Sequence, residues 1–263
     1  MGKAIAIFNQ KGGVGKTTTN INLAASLAKL GKKVLMLDID PQGNTTSGMG
    51  ISKKNLEYSI YDLLIDPKFN PKKAIIHTDS EGLDLIPANV DLAGAEIELV
   101  EIEGREKRLR NAVRKIKKDY DFIFIDCPPS LGLLTINSLT AVESVLIPIQ
   151  CEFYALEGVS QLVSTIDLVK KSMNKELEIE GVVLSMFDGR TNLSMQVVQE
   201  VKKYFGSLVY STVIPRNIRL AEAPGFGMPI TEYDPKSSGA KAYFEFAKEF
   251  LLREAQKDGI KIS

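Results

Sequence analysis

The residues Phe8-Asn9-Gln10-Lys11-Gly12-Gly13-Val14-Gly15-Lys16-Thr17-Thr18 place three glycines, two lysines and two threonines between an apolar run and an amphipathic one. Glycines let the backbone turn so that consecutive N–H groups converge on one anion. A helix that starts directly afterwards adds its positive end. In this reading Gly12, Gly13, Val14 and Gly15 form a phosphate loop, with Thr18 in the first turn beyond it. Lys16 reaches the β- and γ-phosphates of a nucleoside triphosphate, and the Thr17 hydroxyl ligates magnesium. The string departs from G-x-x-x-x-G-K-[ST]: Gln10 stands at the first glycine position, and a second lysine, Lys11, heads the loop. The plain alternative is an ordinary glycine-rich turn. The strand–loop–helix context and the Lys16-Thr17 pair weigh against it.

Two further segments supply carboxylates. Residues 33–38 end in Asp38 and continue Ile39-Asp40-Pro41-Gln42-Gly43-Asn44. Alternation along a strand puts Asp38 and Asp40 on one side, at the carboxyl edge where open α/β sheets bind ligands. Two carboxylates beside a polyphosphate repel it unless a magnesium ion or an attacking water lies between them. Both could instead cap or turn the chain ahead of Pro41. The apolar run Phe122-Ile123-Phe124-Ile125 ends at Asp126, the pattern of a carboxylate in the outer shell of magnesium. Pro128 and Pro129 then stop the strand and aim the loop at the γ-phosphate. Cys127 reads as a small packed side chain rather than a nucleophile.

These groups need a scaffold, and the hydrophobic pattern provides one. Strands are expected at 3–8, 33–38, 121–126, 143–149, 179–186 and 208–214, with helices at 16–30, 91–99, 104–118, 155–173, 192–205 and 236–256. Near-continuous apolar strands alternating with helices predict an α/β fold, a mostly parallel twisted sheet with helices on both faces. Residues 43–72 are the least regular and read as loops with a short helix. No linker or repeat divides the chain, so residues 1–263 are expected to form a single domain.

Composition narrows the function classes. Lys plus Arg equals Asp plus Glu at 33 each, so no global charge draws the chain to nucleic acid or membrane. A DNA-binding surface must be a local patch, or one assembled from two chains. Cys127 and Cys151 are isolated and give no disulfide framework or zinc motif. No run approaches the roughly 18 to 20 apolar residues that cross a bilayer, and the start shows no export pattern. A cytoplasmic location is the expectation.

Lys11-Gly-Gly-Val-Gly-Lys-Thr-Thr18 resembles the deviant Walker A motif of the ParA/MinD class of P-loop ATPases. Asp38-Ile-Asp-Pro-Gln42, Asp126-Cys-Pro-Pro129, Pro148-Ile-Gln-Cys-Glu-Phe-Tyr-Ala-Leu-Glu-Gly158 and Val213-Ile-Pro-Arg-Asn-Ile-Arg-Leu-Ala-Glu-Ala-Pro224 are similar to the ParA/Soj chromosome- and plasmid-partitioning branch. The resemblance runs from residue 1 to about 255. It implies ATP and Mg2+ as cofactors and a homodimer with two ATP molecules sandwiched between chains, Lys11 of each reaching the other's nucleotide. It assigns Asp40 to hydrolysis, positioning water or linking it to magnesium, with Asp38 in support. It places Pro215, Arg216 and Asn217 around adenine; unaided, that tripeptide reads as a turn before a helix. It further implies non-specific binding of double-stranded DNA by the ATP-bound dimer, through Arg190 and Arg219. Lys202, Lys203, Lys236 and Lys241 are lesser candidates. Hydrolysis is expected to be slow and stimulated by a ParB/Spo0J-like centromere-binding partner.

The most basic stretch, 105–118, keeps Leu109, Val113 and Ile116 as a buried stripe and follows the acids Glu96, Glu98, Glu101 and Glu103. It reads as a solvated helix face, with a DNA contact the lesser reading. A MinD-like membrane-cycling ATPase is the runner-up, but its terminal basic amphipathic helix has only a weak counterpart in residues 255–263. An iron–sulfur carrier of the nitrogenase iron protein type needs cluster cysteines in other contexts than Cys127 and Cys151. A binding module that never hydrolyses ATP has no use for Asp40.

Overall fold

Short aliphatic runs become strands covered on both faces, as their continuous apolar character requires. The computed structural model describes residues 2–152, 158–257 and 259. Its first strand is β1 (Lys3–Ile7), and alternation sorts its side chains between two cores. Ala4 and Ala6 join the core on one face of the sheet; Ile5 and Ile7 enter the other. The chain continues through α1 (Lys16–Lys29), β2 (Val34–Asp38), α2 (Asn44–Gly48), α3 (Ile60–Ile65), β3 (Ile76–His77) and β4 (Leu83–Ile86). Next come α4 (Leu92–Glu98), α5 (Arg108–Ile116), β5 (Phe122–Asp126), α6 (Leu133–Ala141) and β6 (Ser144–Gln150). The remainder is α7 (Val159–Ser172), β7 (Glu178–Phe187), α8 (Asn192–Phe205), β8 (Val209–Pro215), α9 (Ile218–Glu222), α10 (Ile230–Tyr233) and α11 (Ser238–Lys257).

The eight strands lie in the order β3-β4-β2-β5-β1-β6-β7-β8. Every pairing is parallel except β3 with β4. Helices α1 and α11 cover one face, and α3 to α8 supply the core of the other. In register, Ile7 sits opposite Asp126 and Leu146, and Asp126 opposite Asp38. The phosphate-loop segment, Asp38 and Asp126 therefore leave the sheet at one edge. The chain goes from β1 out to β2 and β4, then returns through β5 to build the half containing β6 to β8. That reversal beside β1 is where open α/β sheets form a ligand crevice.

The mostly parallel sheet with helices on both faces is as expected, and all six expected strands are present. Three elements were not legible. Leu83-Asp84-Leu85-Ile86 is short and interrupted by an acid, so β4 and its partner β3 left no periodic signal. Helix α6 reads Leu-Leu-Thr-Ile-Asn-Ser-Leu-Thr-Ala and buries Thr135, Asn137, Ser138 and Thr140 along with its leucines, so it has no polar face to mark a period. Residues 43–72 hold two short helices rather than one. The second, α3, opens with Ser59 accepting from the Tyr61 N–H while Asp62 accepts from the Ser59 N–H. The helix expected at 155–173 is seen from Val159; residues 153–157 lie outside the described residues.

Candidate functional site

The loop after β1 is held from three sides. Asn9 Nδ2 donates to the Pro148 carbonyl at 2.8 Å, and Asn9 Oδ1 accepts from the Lys11 N–H at 3.0 Å. Gln10 Nε2 donates to Thr165 Oγ1 at 3.0 Å, and Ser185 Oγ donates to the Val14 carbonyl at 2.8 Å. Gly13 and Gly15 have φ of 75° and 90°, a region closed to most side chains. Lys16 is buried, and its Nζ donates to the Lys11 carbonyl at 3.1 Å. Burial holds its ammonium below the usual lysine range, against the pull of Asp126 and Asp40. Lys11 is exposed beyond the loop.

Asp126 is buried at the end of β5. Its Oδ2 accepts from Thr17 Oγ1 at 2.7 Å and from Thr45 Oγ1 at 2.8 Å, while Asn20 Nδ2 donates to Thr45 Oγ1 at 3.1 Å. Asp126 Oδ1 and Asn20 Oδ1 are buried with no hydrogen-bond partner among the described residues. A hydroxyl and a carboxylate with an unspent lone-pair oxygen are the hard donors that magnesium takes, directly or through its waters. Burial raises the Asp126 carboxyl above the usual range; the Thr17 and Thr45 hydroxyls resist that rise and the Asp40 charge adds to it.

Asp38 behaves differently from the strand-alternation expectation. The strand ends at Asp38 and Asp40 lies in a bend, so the period of two does not carry across. Asp38 is fully buried, and its Oδ2 accepts from both the Thr46 N–H and Thr46 Oγ1, each at 2.7 Å. Thr46 Oγ1 also accepts from the Ala88 N–H at 2.9 Å. Burial, together with the Asp126 charge, pushes the Asp38 carboxyl up. Asp38 is thus withdrawn into the protein and closes a loop that contains Asp40. Asp40 Oδ1 accepts from the Gln42 N–H at 2.9 Å, and its charge acts on both Lys16 and Asp126.

A cavity of about 510 Å³ opens beside Gly15 and Thr18. Ser185 and Met186 of β7, Ile214 and Pro215 of β8, Arg216, Asn217, Ile218, Leu220, Ala221 and Tyr243 complete its walls. A mainly apolar slot of this size, adjoining the phosphate loop, suits a flat heterocycle. Met186 has φ of 52°, a strained backbone of the kind that collects at ligand sites. Asn217 makes the turn before a helix and also stands at the cavity wall. Its Oδ1 caps α9 by accepting from the Arg219 N–H at 2.8 Å, its Nδ2 donates to Ser238 Oγ at 2.6 Å, and the residue lines the cavity.

Arg190 lies in the turn after β7 and Arg219 in α9 just after β8, two strands that pair at Phe187 and Pro215. Each meets an acid: Arg190 spans both oxygens of Asp188, and Arg219 Nη1 lies 2.8 Å from Glu222. Lys202, Lys203, Lys236 and Lys241 are exposed. Cys127 and Cys151 are buried, and burial pushes both thiols up to about 12, which suits packing rather than nucleophilic chemistry.

With this geometry the chain was compared with known proteins. A family model described as "AAA domain" matches residues 2–179. The sporulation initiation inhibitor protein Soj of Bacillus subtilis is 61% identical over 249 residues, 95% of this chain and 98% of Soj. The chromosome partitioning protein ParA of Myxococcus xanthus is 52% identical over 258 residues, 98% of this chain and 90% of that protein. The chain belongs to the ParA/Soj family. Among solved structures, the cobyrinic acid a,c-diamide synthase of Mycobacterium smegmatis with bound ADP and magnesium superposes with a TM-score of 0.85 at 39% identity, covering 98% of this chain and 97% of that one.

The ParA/Soj fold thus brings Lys16, Thr17, Asp40 and Asp126 to one edge of the sheet, with Pro215, Arg216 and Asn217 on the wall of the adjoining cavity. Four contributors escaped the sequence reading: Asn20, Thr45, Thr46 and Ser185. Thr45 and Thr46 follow Gly43-Asn44 directly, and two consecutive hydroxyls there were the available signal. Ser185 gave none, since it sits mid-strand among apolar residues. The family motif Pro148–Gly158 is described except at residues 153–157.

Proposed function

We propose that this ParA/Soj-family chain is an ATP-driven dimer switch that moves chromosomal or plasmid DNA. The observation that carries the reading is Thr17 and Asp126 meeting below a loop that holds Lys16 inward and leaves Lys11 exposed. One lysine is thereby committed to the chain's own phosphates, and the other is free to engage a nucleotide bound to a second copy. Adenine occupies the cavity walled by Pro215, Arg216 and Asn217.

Thr17, with Asp126 behind it, would hold Mg2+, which would supply positive charge to offset the negative charge of the terminal phosphate. Lys16 binds oxygens of the same phosphate. Asp40 orients the attacking water, and Asp38 and Thr46 hold the loop that carries it. Positioning of this kind supplies much of the catalysis of phosphoryl transfer. Among the described residues no arginine forms an ion pair or hydrogen bond with Asp40, which supports slow basal turnover that awaits a ParB/Spo0J-like partner.

Pairing two chains doubles the contacts that Arg190 and Arg219 make to DNA phosphates, so a weak monomer patch becomes an effective one. Hydrolysis then parts the chains and releases non-specific double-stranded DNA. The deciding experiment is gel filtration of Asp40→Ala with ATP, with and without random-sequence DNA. A dimer that persists and co-elutes with DNA is expected; a monomer, or wild-type turnover by this variant, refutes the scheme.

A further inference from the structure

Helix α4 is apolar on two sides. Leu92, Ala95 and Leu99 point into the core, while Val90, Ala93, Ile97 and Val100 recur at helical spacing on the exposed side. Val90, Ile97 and Val100 are 74%, 76% and 52% exposed, and Leu131 nearby in sequence to Gly132 is 50% exposed. Among the described residues nothing covers this stripe, and contiguous exposed apolar side chains mark interaction surfaces. Acids border it: Asp91, Glu98, Glu101 and Glu103. Among the described residues none of these four forms an ion pair, and Glu98 only accepts from the Tyr61 hydroxyl, at 2.8 Å. Arg105 reaches the Val100 carbonyl at the end of the stripe and pairs with Glu106, and with none of these four acids.

The helix is also wired to the site. Glu96 lies against Gly132, where a Cβ would stand 1.9 Å from its Oε1, and Oε1 faces the Leu134 N–H at 3.5 Å. Gly132 caps α6 and Leu134 lies in its first turn, a few residues after Asp126-Cys127-Pro128-Pro129. Glu96 therefore joins α4 to the start of α6, next to the loop beside the phosphates.

We propose that the exposed side of α4 docks a partner segment carrying an apolar stripe flanked by basic side chains, and that Glu96 transmits the docking to the Asp126 loop. This rests on the reading that hydrolysis awaits a partner. A second copy of this chain fits the face poorly, because a two-fold contact there sets acid rim against acid rim.

The test uses the full chain with ATP and a labelled amphipathic peptide bearing a leucine stripe between lysines, beside a control with glutamates in place of the lysines. Fluorescence anisotropy should show the lysine peptide binding wild type, and binding about tenfold more weakly to Ile97→Ser/Val100→Ser and to Glu98→Lys/Glu101→Lys. Melting and basal turnover should be unchanged in both variants. In a second arm, a purified ParB-type partner should stimulate wild type and fail to stimulate either variant. Equal peptide affinity across the three proteins, or equal binding of the glutamate peptide, overturns the proposal. So does loss of the ATP-dependent dimer in Ile97→Ser/Val100→Ser, which would give the face to a second copy. If the peptide arm succeeds while the ParB-type partner leaves wild type unstimulated, the docking face stands and the partition reading falls.

Discussion

Thr46 gives both its backbone N–H and its hydroxyl to one oxygen of Asp38, at 2.7 Å each, and so ties together the two ends of the segment that carries Asp40. Neither residue is exposed to solvent. The pair acts on Asp40 through the backbone, because closing a loop removes conformations in which its central residue points elsewhere.

Thr46→Val keeps the side-chain shape and removes the hydroxyl. It leaves Asp38 with one donor fewer and the Ala88 N–H without an acceptor, a cost of about 1–3 kcal/mol in unfolding free energy. Turnover should fall about tenfold or more while ATP affinity changes little, and Thr46→Ser should restore both. Urea unfolding, nucleotide titration and steady-state kinetics on the three proteins check this. Equal losses in binding and turnover would make Thr46 a general support of the fold.

The two lysines of the loop should separate cleanly. Lys16→Ala removes a buried cation from the phosphates, a loss of about 2–5 kcal/mol in affinity. Lys11→Ala should bind ATP as a monomer and fail to dimerise. Calorimetry with ATP and light scattering of the same samples read the two outcomes independently.

The base seat can be closed without touching the phosphates. Ala221→Trp fills the cavity lined by Pro215 and Asn217. ATP affinity should drop at least about tenfold, corresponding to 1.4 kcal/mol, whereas inorganic tripolyphosphate should bind as before. Competition between the two ligands measures this, and parallel loss of both would move the base elsewhere.

Much of this site was readable before any coordinates, for a physical reason. Glycines at 12, 13 and 15, Lys16-Thr17 and an acid at the end of Phe122–Ile125 are local patterns whose chemistry depends on a few neighbours. The contacts of Asp38 were not legible, because they depend on Thr46, eight residues on, and on a strand end that periodicity does not reveal. Thr45 joins Asp126 from another element, with Asn20 behind it, and the pair of hydroxyls at 45 and 46 does not say which distant carboxylate they reach. Likewise α6 hides its hydroxyls inside the core, so the usual polar face that announces a helix is missing.

At the opposite edge of the sheet, Glu180 is buried between Lys3, Lys257 and Ser144, with contacts of 2.6 to 2.7 Å. Burial opposes its charge, yet the Lys3 charge and the hydrogen bonds from Lys257, Lys3 and Ser144 hold the carboxyl down to about 2. An unfolded glutamate titrates near 4.3. A depressed folded value means that the stabilisation is present above the unfolded value and is lost as pH falls toward about 2. Glu180→Gln should therefore cost about 3 kcal/mol at pH 7, and the gap to wild type should shrink below pH of about 4. Glu254, raised by burial and by the Glu180 charge against the Lys3 hydrogen bond, works in the opposite sense and reduces the net slope. Denaturant unfolding of both proteins between pH 7 and 3 decides it; a gap independent of pH would sink the assignment.

The strand order has a consequence for how the family can diversify. The cavity is built at the ends of β7 and β8, the phosphate loop at β1, and the carboxylates at β5 and β2. With strands about 4.8 Å apart, a nucleotide bound as proposed would lie across the sheet, its base some three strands from the groups proposed to act on its terminal phosphate. Selection at one margin can then change which heterocycle is accepted while the other margin keeps its chemistry. On the proposed placement, loss of the γ-phosphate would leave the base gripped, so departure of the diphosphate would be a separate event from bond cleavage, open to control of its own.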